Sequence, residues 1–216
     1  MLVTAGPTRE PIDEVRFLGN RSSGRMGIEI AREAARRGHP TTLLLGPVGE
    51  AAGLDAVGVT VHRFETAESL RQLLDSLSPD ADLVVMAAAV ADYRPVTRHA
   101  GKLRREGKPI TLDLEPVPDL LAEVAGRRPT GQRIVGFALE PAERLDESAR
   151  AKLVRKGIDA IVANPLETLD AAGIRGRLIH ADGRVEMPSD DSEAVDKSRF
   201  AGWLLDRLEV LPSRER

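Results

Sequence analysis

Gly19-Asn20-Arg21-Ser22-Ser23-Gly24-Arg25-Met26-Gly27 is the stretch of this sequence best suited to hold an anion. Glycines let backbone approach a ligand closely, serines are expected to cap a helix, and amides exposed at a helix start attract phosphate-like groups. A plain serine-capped helix would use the same residues. The loop running from Gly6 to Gly24 is long, which favours a functional role. Gly19, Gly24 and Gly27 do not have the G-x-G-x-x-G spacing of a dinucleotide site. The next strand ends on Gly46-Pro47, where such a site would offer an acid to the ribose, and no P-loop is present. The segment therefore points to nucleotide binding by a different device.

Three further segments carry chemical side chains. Ala87-Ala88-Ala89-Val90-Ala91-Asp92-Tyr93-Arg94 leaves an apolar strand, and its small residues free backbone groups to meet a flat ligand. Asp92 is placed to bind a sugar hydroxyl, a base amino group or a hydrated metal ion, whereas the alanines also suit a tightly packed core strand. Arg94, Arg98, Lys102, Arg104, Arg105 and Lys108 face a single acid, Glu106. Such a run is either a solvated face or a cover for a polyanionic substrate. Lys152 and Lys156 lie four apart on one helix face, either as cations near a helix C-terminus or as phosphate ligands. The chain has 26 Arg and 5 Lys, and two of those five stand here, with Lys102 a third. Lysine is a compact mobile charge and arginine a rigid fork, so its retention suggests positions where arginine would not serve. No Ser-His-Asp set and no histidine pair at metal-ligand spacing occurs; His39, His62, His99 and His180 read as structural or exposed.

Alternating apolar runs must position these segments. Leu2–Gly6 reads as a strand, Gly27, Ile30, Ala31, Ala34 and Ala35 as one helix face ended by Gly38, and Thr41–Leu45 as a second strand. This βαβ unit implies parallel pairing. Val59–Phe64 continues as strand, Ser69–Leu77 as helix, and Leu83–Ala89 as a central strand covered on both faces. Ile134–Ala138 and Ala160–Ala163 repeat that pattern around a helix bearing Leu145, Ala149 and Leu153 and ended by Gly157. Arg177–Glu186 reads as a hairpin turning at Asp182-Gly183, followed by a helix with Phe200, Trp203, Leu204 and Leu208 on one face. Tyr93–Pro118 breaks the alternation and reads as a flap or extra hairpin carrying Ile110, Leu112 and Leu114. The expected architecture is α/β: a Rossmann-like, mostly parallel sheet with helices on both faces and a small β excursion. Residues 1–210 are expected to form one domain, with 93–118 as its flap and 211–216 as a polar tail.

Composition narrows the function classes. The 216 residues include 42% hydrophobic and 30% charged side chains, which excludes a disordered, collagenous or coiled-coil chain. Without cysteine, thiol catalysis and thiolate metal sites are excluded, and a reducing cytoplasm fits. A net charge of −3 and 3% aromatics argue against nucleic acid as partner. The run Leu83–Ala91 is far too short to span a membrane, and no signal peptide opens the chain.

Val3-Thr4-Ala5-Gly6-Pro7-Thr8-Arg9-Glu10-Pro11-Ile12-Asp13 followed by Val15–Gly27 strongly resembles phosphopantothenate–cysteine ligases. Ala88–Arg94 resembles the family's A-A-V-A-D-Y, Lys102-Leu103-Arg104-Arg105 its K-x-K-K, and Ile134–Glu140 its V-G-F-x-x-E. Ala149–Asn164 resembles its A-x-x-K-x-x-x-K…D-x-I-V-A-N, so the likeness runs from Leu2 to about Leu208. It implies a homodimer of coenzyme A synthesis that joins 4′-phosphopantothenate to L-cysteine, using Mg2+ and a nucleoside triphosphate. CTP, usual for bacterial members, is favoured over ATP. With the first motif at residue 2, the chain is expected to hold no flavin and no decarboxylase, the latter being a possible separate partner.

The resemblance also implies roles. Asn20, Arg16 and Lys102 would act in catalysis, Asn20 binding the substrate carboxylate or acyl carbonyl and Arg16 shaping the phosphopantothenate site with Ala88 and Ala89. Gly6, Ser22, Ser23, Gly24, Met26 and Gly27 would line the phosphates. Met86, Ala87, Ala88 and Phe137 would surround base and ribose with Asp92, and Val117, Pro118, Asp119 and Leu120 would complete the nucleotide site. Lys152 and Lys156 would neutralise phosphate; no metal ligand is assigned. Four departures from the family pattern stand out: Pro116-Val117-Pro118-Asp119 in place of K-N-P-D, arginine at the last two positions of the K-x-K-K, Arg25 in place of a frequent lysine, and Pro165 in place of an acid. An NAD(P)-dependent oxidoreductase and a non-catalytic nucleotide-binding module are the alternatives. The missing fingerprint weighs against the first, and retention of Asn20 and Lys102 against the second.

Overall fold

The computed structural model describes residues 1–49, 53–168, 171, 173–188 and 194–212. The elements run β1 (Leu2–Ala5), β2 (Arg9–Pro11), β3 (Phe17–Gly19), α1 (Arg25–Arg36), β4 (Thr41–Leu45), β5 (Val59–Arg63), α2 (Ala67–Leu77) and β6 (Leu83–Met86). There follow β7 (Tyr93–Pro95), β8 (Leu114–Pro116), α3 (Leu120–Gly126), β9 (Arg133–Glu140), α4 (Leu145–Lys156) and β10 (Ala160–Pro165). The chain closes with β11 (Gly173–Ile174), β12 (Arg177–His180), β13 (Val185–Glu186), β14 (Val195–Asp196) and α5 (Lys197–Leu208).

Among the described residues, eight strands form the main sheet in the order β13-β12-β10-β9-β6-β1-β4-β5. The six from β10 to β5 are parallel, and β12 and β13 add antiparallel at one edge. Successive side chains of a strand point to opposite faces, and both faces here are apolar. Val3, Ala5, Leu43, Leu45, Val85 and Val135 pack under α1 and α5. Leu2, Leu44, Val84, Met86 and Ile134 pack under α2, α3 and α4. This is why the strands read as unbroken apolar runs. The expected fold class is the one observed.

Helix ends follow their sequence signals in part. Thr66 caps α2 through the Ser69 amide, with Ser69 reciprocating. Gly157 ends α4 in the left-handed region, at φ +64°. The serines before α1 do not cap it: Gly24 occupies the cap position at φ +69° without a side-chain bond, and the Ser22 hydroxyl accepts only from the Gly24 amide at 3.3 Å.

Three expectations change. The stretch between Gly6 and Gly24 is not a bare loop, because it contains the antiparallel pair β2–β3. Its two three-residue strands, one ending in proline, carry no apolar alternation to announce them. The central strand stops at Met86 rather than Ala89. In the excursion only Tyr93–Pro95 and Leu114–Pro116 pair, so the alternation at Ile110 and Leu112 does not produce a strand. At the C-terminus Leu211 is buried against the α5 core. Of the expected polar tail, residues 213–216 lie outside the described residues.

Candidate active site

The strands β1 and β6 are neighbours, but the chain leaves them in opposite directions: α1 carries it outward to β4, while β9 lies on the other side of β6. Open parallel sheets present a crevice at such a reversal, beyond the carboxyl ends of the strands. A cleft of about 850 Å3 lies there, walled by residues 19–27, 86–92, 117–121 and 137–139, with one side of α4 and the start of α5.

Its floor is built by buried threonines. Thr4 and Thr8 are fully buried, and their hydroxyls accept from the Ala88 and Ala91 amides, each at 3.0 Å. Ala89 donates to the Gly6 carbonyl at 2.9 Å, and Thr8 donates to the Ala89 carbonyl at 3.3 Å. The segment after β6 is thus stitched to the segment after β1, which fixes a strand-like ledge of small residues at the cleft.

The opposite wall is the start of α1. Its twelve residues have no acid in the first turn and no side-chain cap. Gly24–Gly27 line the cleft, so a helix start without a side-chain cap borders it, the arrangement that attracts anions. Close packing sets their position: a Cβ on Gly27 would stand 2.6 Å from the Ala5 Cβ and 2.8 Å from the Thr4 carbonyl. A Cβ on Gly24 would stand 3.2 Å from the Gly6 amide nitrogen. Gly24→Ala is expected to lower stability by about 1–2 kcal/mol, because an L side chain is strained at positive φ. It is also expected to weaken triphosphate binding at least about tenfold, equivalent to 1.4 kcal/mol, by displacing the start of α1. Urea unfolding and calorimetric titration check both, and native affinity would contradict the assignment of this wall.

The charge is concentrated. Arg21, Arg25, Lys152, Arg155, Lys156 and Lys197 line the cleft against Asp92 and Asp119, within a chain of net charge −3. Lys152 pairs with Glu140, and Lys156 with Asp119 at 3.1 Å. The Lys152 hydrogen bond holds the Glu140 carboxyl below the usual carboxylate range, against an upward push from burial. Asp119 also caps α3 through the Ala122 amide at 3.1 Å. Asn20 stands at the cleft edge with its Nδ2 donating to the Val90 carbonyl at 2.8 Å.

Most residues singled out by sequence meet in this cleft: Asn20, Ser22, Ser23, Gly24, Met26, Gly27, Met86–Ala89, Asp92, Val117–Leu120, Phe137, Lys152 and Lys156. Three do not line it. Gly6 lies behind the α1 wall, packed on Val48 and Gly46. Arg16 is bound to Asp13 outside it, and Lys102 is exposed on the excursion. Sequence reasoning missed Arg21, Arg25, Arg155, Asn164 and Lys197 as lining groups. Arg21 and Arg25 stood within the singled-out loop, but nothing marked Lys197, which the topology brings from the start of α5. Among the described residues no three His, Asp or Glu side chains converge to hold a metal ion. The same residues include no helix long and apolar enough to cross a membrane.

Residues 1–210 match the family described as the DNA/pantothenate metabolism flavoprotein C-terminal domain. The chain belongs to that family. The chain is 42% identical over 214 residues to the coenzyme A biosynthesis bifunctional protein CoaBC of Mycobacterium tuberculosis, covering 93% of this chain and 50% of that protein. A protein named cysteine/cysteine sulfinic acid decarboxylase, from an unknown prokaryotic organism, is 39% identical over 167 residues, 77% of this chain and 46% of that one. The chain thus spans about half the length of the curated relatives it matches. The crystal structure of the C-terminal domain of a CoaBC protein superposes with a TM-score of 0.79 at 33% identity, covering 96% of this chain and 92% of that one.

Proposed function

We propose that this protein ligates 4′-phosphopantothenate to L-cysteine through an acyl-nucleotide, with CTP as the triphosphate. The carrying observation is the cleft: six basic side chains and an uncapped helix start converge on a ledge of small residues, with no nucleophile–base pair among them. That set suits a reaction driven by positioning and by neutralising charge. A carboxylate resists attack by an amine because oxide is a poor leaving group. In the proposed first step a carboxylate oxygen attacks the α-phosphorus and expels pyrophosphate. In the second, the cysteine amine attacks the acyl carbon, expels the nucleoside monophosphate and loses its proton to solvent.

The roles follow the cleft walls. The α1 amides with Ser22 and Ser23 hold the phosphates, and the Met86–Ala88 ledge and Phe137 enclose base and ribose. Asn20 donates to the acyl oxygen, and Lys102 on the excursion adds charge to the loaded site. Among the described residues no side-chain cage for Mg2+ is formed. Lys152→Met is expected to lower CTP affinity about tenfold, equivalent to 1.4 kcal/mol, and CMP affinity less, because the β- and γ-phosphates carry most of the charge. Equal losses for CTP and CMP in titration calorimetry would place Lys152 elsewhere.

The excursion also suggests a second copy of the chain as partner. Tyr93 at 53%, Val96 at 56% and Ile110 at 64% exposure bring apolar side chains to the excursion's surface, and Val15 at 60% does so on the β2–β3 turn. A homodimer would cover this face, and a cytoplasmic setting follows from the reading as a coenzyme A enzyme. The test of the function is product formation: cysteine-dependent phosphopantothenoylcysteine by mass, compared between CTP and ATP. Release of carbon dioxide or hydride transfer to a nicotinamide, without ligated product, would replace the reading.

A further inference from the structure

Asp13 is a buried carboxylate outside the cleft, and both of its oxygens are engaged. Its side chain has no solvent exposure. Oδ1 accepts from the Val15 and Arg16 amides, both at 2.7 Å. Oδ2 accepts from the Arg16 guanidinium at 2.5 Å and from the Leu103 amide at 3.0 Å, ninety residues away in sequence. The other arm of the contact is closed as well: Arg16 Nη1 donates to the Leu103 carbonyl at 3.3 Å, and the His99 amide donates to the Ile12 carbonyl at 2.9 Å. Burial pushes the Asp13 carboxyl up, but the three backbone donors and the Arg16 hydrogen bond outweigh it and hold it far below the usual carboxylate range.

Between the ties at His99 and Leu103 stands Lys102. The basic excursion has no strand of its own over residues 96–113, so these bonds, rather than a sheet ladder, fix where it runs. We infer that Asp13 is a positioning residue: its carboxylate clamps Arg16 and the Lys102 segment into one unit. The two oxygens divide the work. Oδ1 shapes the local turn, and Oδ2 reaches across to the excursion. The inference deepens the proposed function, and it rests on the reading that Lys102 acts on the loaded site.

Asp13→Asn separates the two jobs. Its amide oxygen still accepts from Val15 and Arg16, but its NH2 group faces the Leu103 amide and the guanidinium, both donors. The expected result is a rise of about tenfold in tryptic cleavage after Lys102, Arg104 and Arg105 in the nucleotide-free, fully folded protein, as a locally opened segment becomes accessible, with cleavage elsewhere in the chain at the native rate. Asp13→Ser, which keeps a hydroxyl for the turn amides, gives the same pattern and serves if the first variant does not fold. Ligation supplies the second readout, in a cycle with Lys102→Met. Asp13→Asn lowers kcat about tenfold in the native background and less than about twofold beside Lys102→Met, because residues acting as one unit are not additive. Unchanged proteolysis overturns the clamp, and equal kcat losses in both backgrounds overturn its action through Lys102. If the native protein forms no ligated product, the functional reading fails while the cleavage rates still decide the clamp.

Discussion

Asn20→Asp is expected to lower ligation about 10²–10³-fold, the usual loss on removing one donor from a developing oxyanion, while nucleotide affinity changes little. The two proposed half-reactions differ in what they would ask of this position. In the first, charge develops on phosphate, which the α1 amides and the cleft cations face. In the second, charge develops on the acyl oxygen as the amine attacks, and a neutral N–H donor is required there. Asparagine supplies one, anchored by its bond to the Val90 carbonyl at 2.8 Å. Aspartate cannot donate, and it would set a carboxylate oxygen against that carbonyl. Acyl-nucleotide is therefore expected to form and accumulate in the variant while transfer to cysteine falls. Quenched-flow separation of the two steps checks this, and native transfer rates would remove Asn20 from the reaction.

Arg128→Met is expected to lower stability by about 3–5 kcal/mol, the cost of leaving a buried charge without its partner, which is a large share of a typical domain's about 5–15 kcal/mol. Arg128 donates to Asp159 at 2.7 Å, with both side chains almost wholly buried. Asp159 also accepts from the Ile134 amide at 2.7 Å, so it ties α3's exit to the start of β9 and β10. Adding Asp159→Asn should recover part of the loss by removing the buried charge that Arg128 offsets. The pair sits at the entry to β10, the opposite end of that strand from the cleft-lining Asn164. Nucleotide affinity in the folded variant should thus be unchanged. A urea midpoint like that of the native protein would show that water reaches Asp159.

The sheet was legible because its strands are buried on both faces, so Leu43–Leu45 and Leu83–Met86 read as apolar runs without needing a partner to be known. The floor and one wall of the cleft were legible too, since Gly19–Gly27 and Ala87–Asp92 are local motifs. What escaped depends on contacts between distant residues. The β2–β3 hairpin has no alternation, and its anchor is Glu10, whose buried carboxylate accepts from the Ala67 amide at 2.8 Å at the start of α2. The serine cap was expected from residue type, but Gly24 at positive φ carries the helix start and leaves the amides open. The basic run Arg94–Lys108 drew attention to Lys102, whereas the cations lining the cleft include Lys197 and Arg155 from α5 and α4. Asp13 looks like any turn aspartate until Leu103 is seen beside it.

The most direct test of the account follows the α-phosphorus of CTP in the presence of 4′-phosphopantothenate and Mg2+, before cysteine is added. Attack at that atom predicts labelled acyl-cytidylate with stoichiometric pyrophosphate, and then labelled CMP with phosphopantothenoylcysteine once cysteine enters. Labelled CDP with inorganic phosphate, or no consumption of the triphosphate by folded protein that binds it, would contradict an acyl-nucleotide ligase.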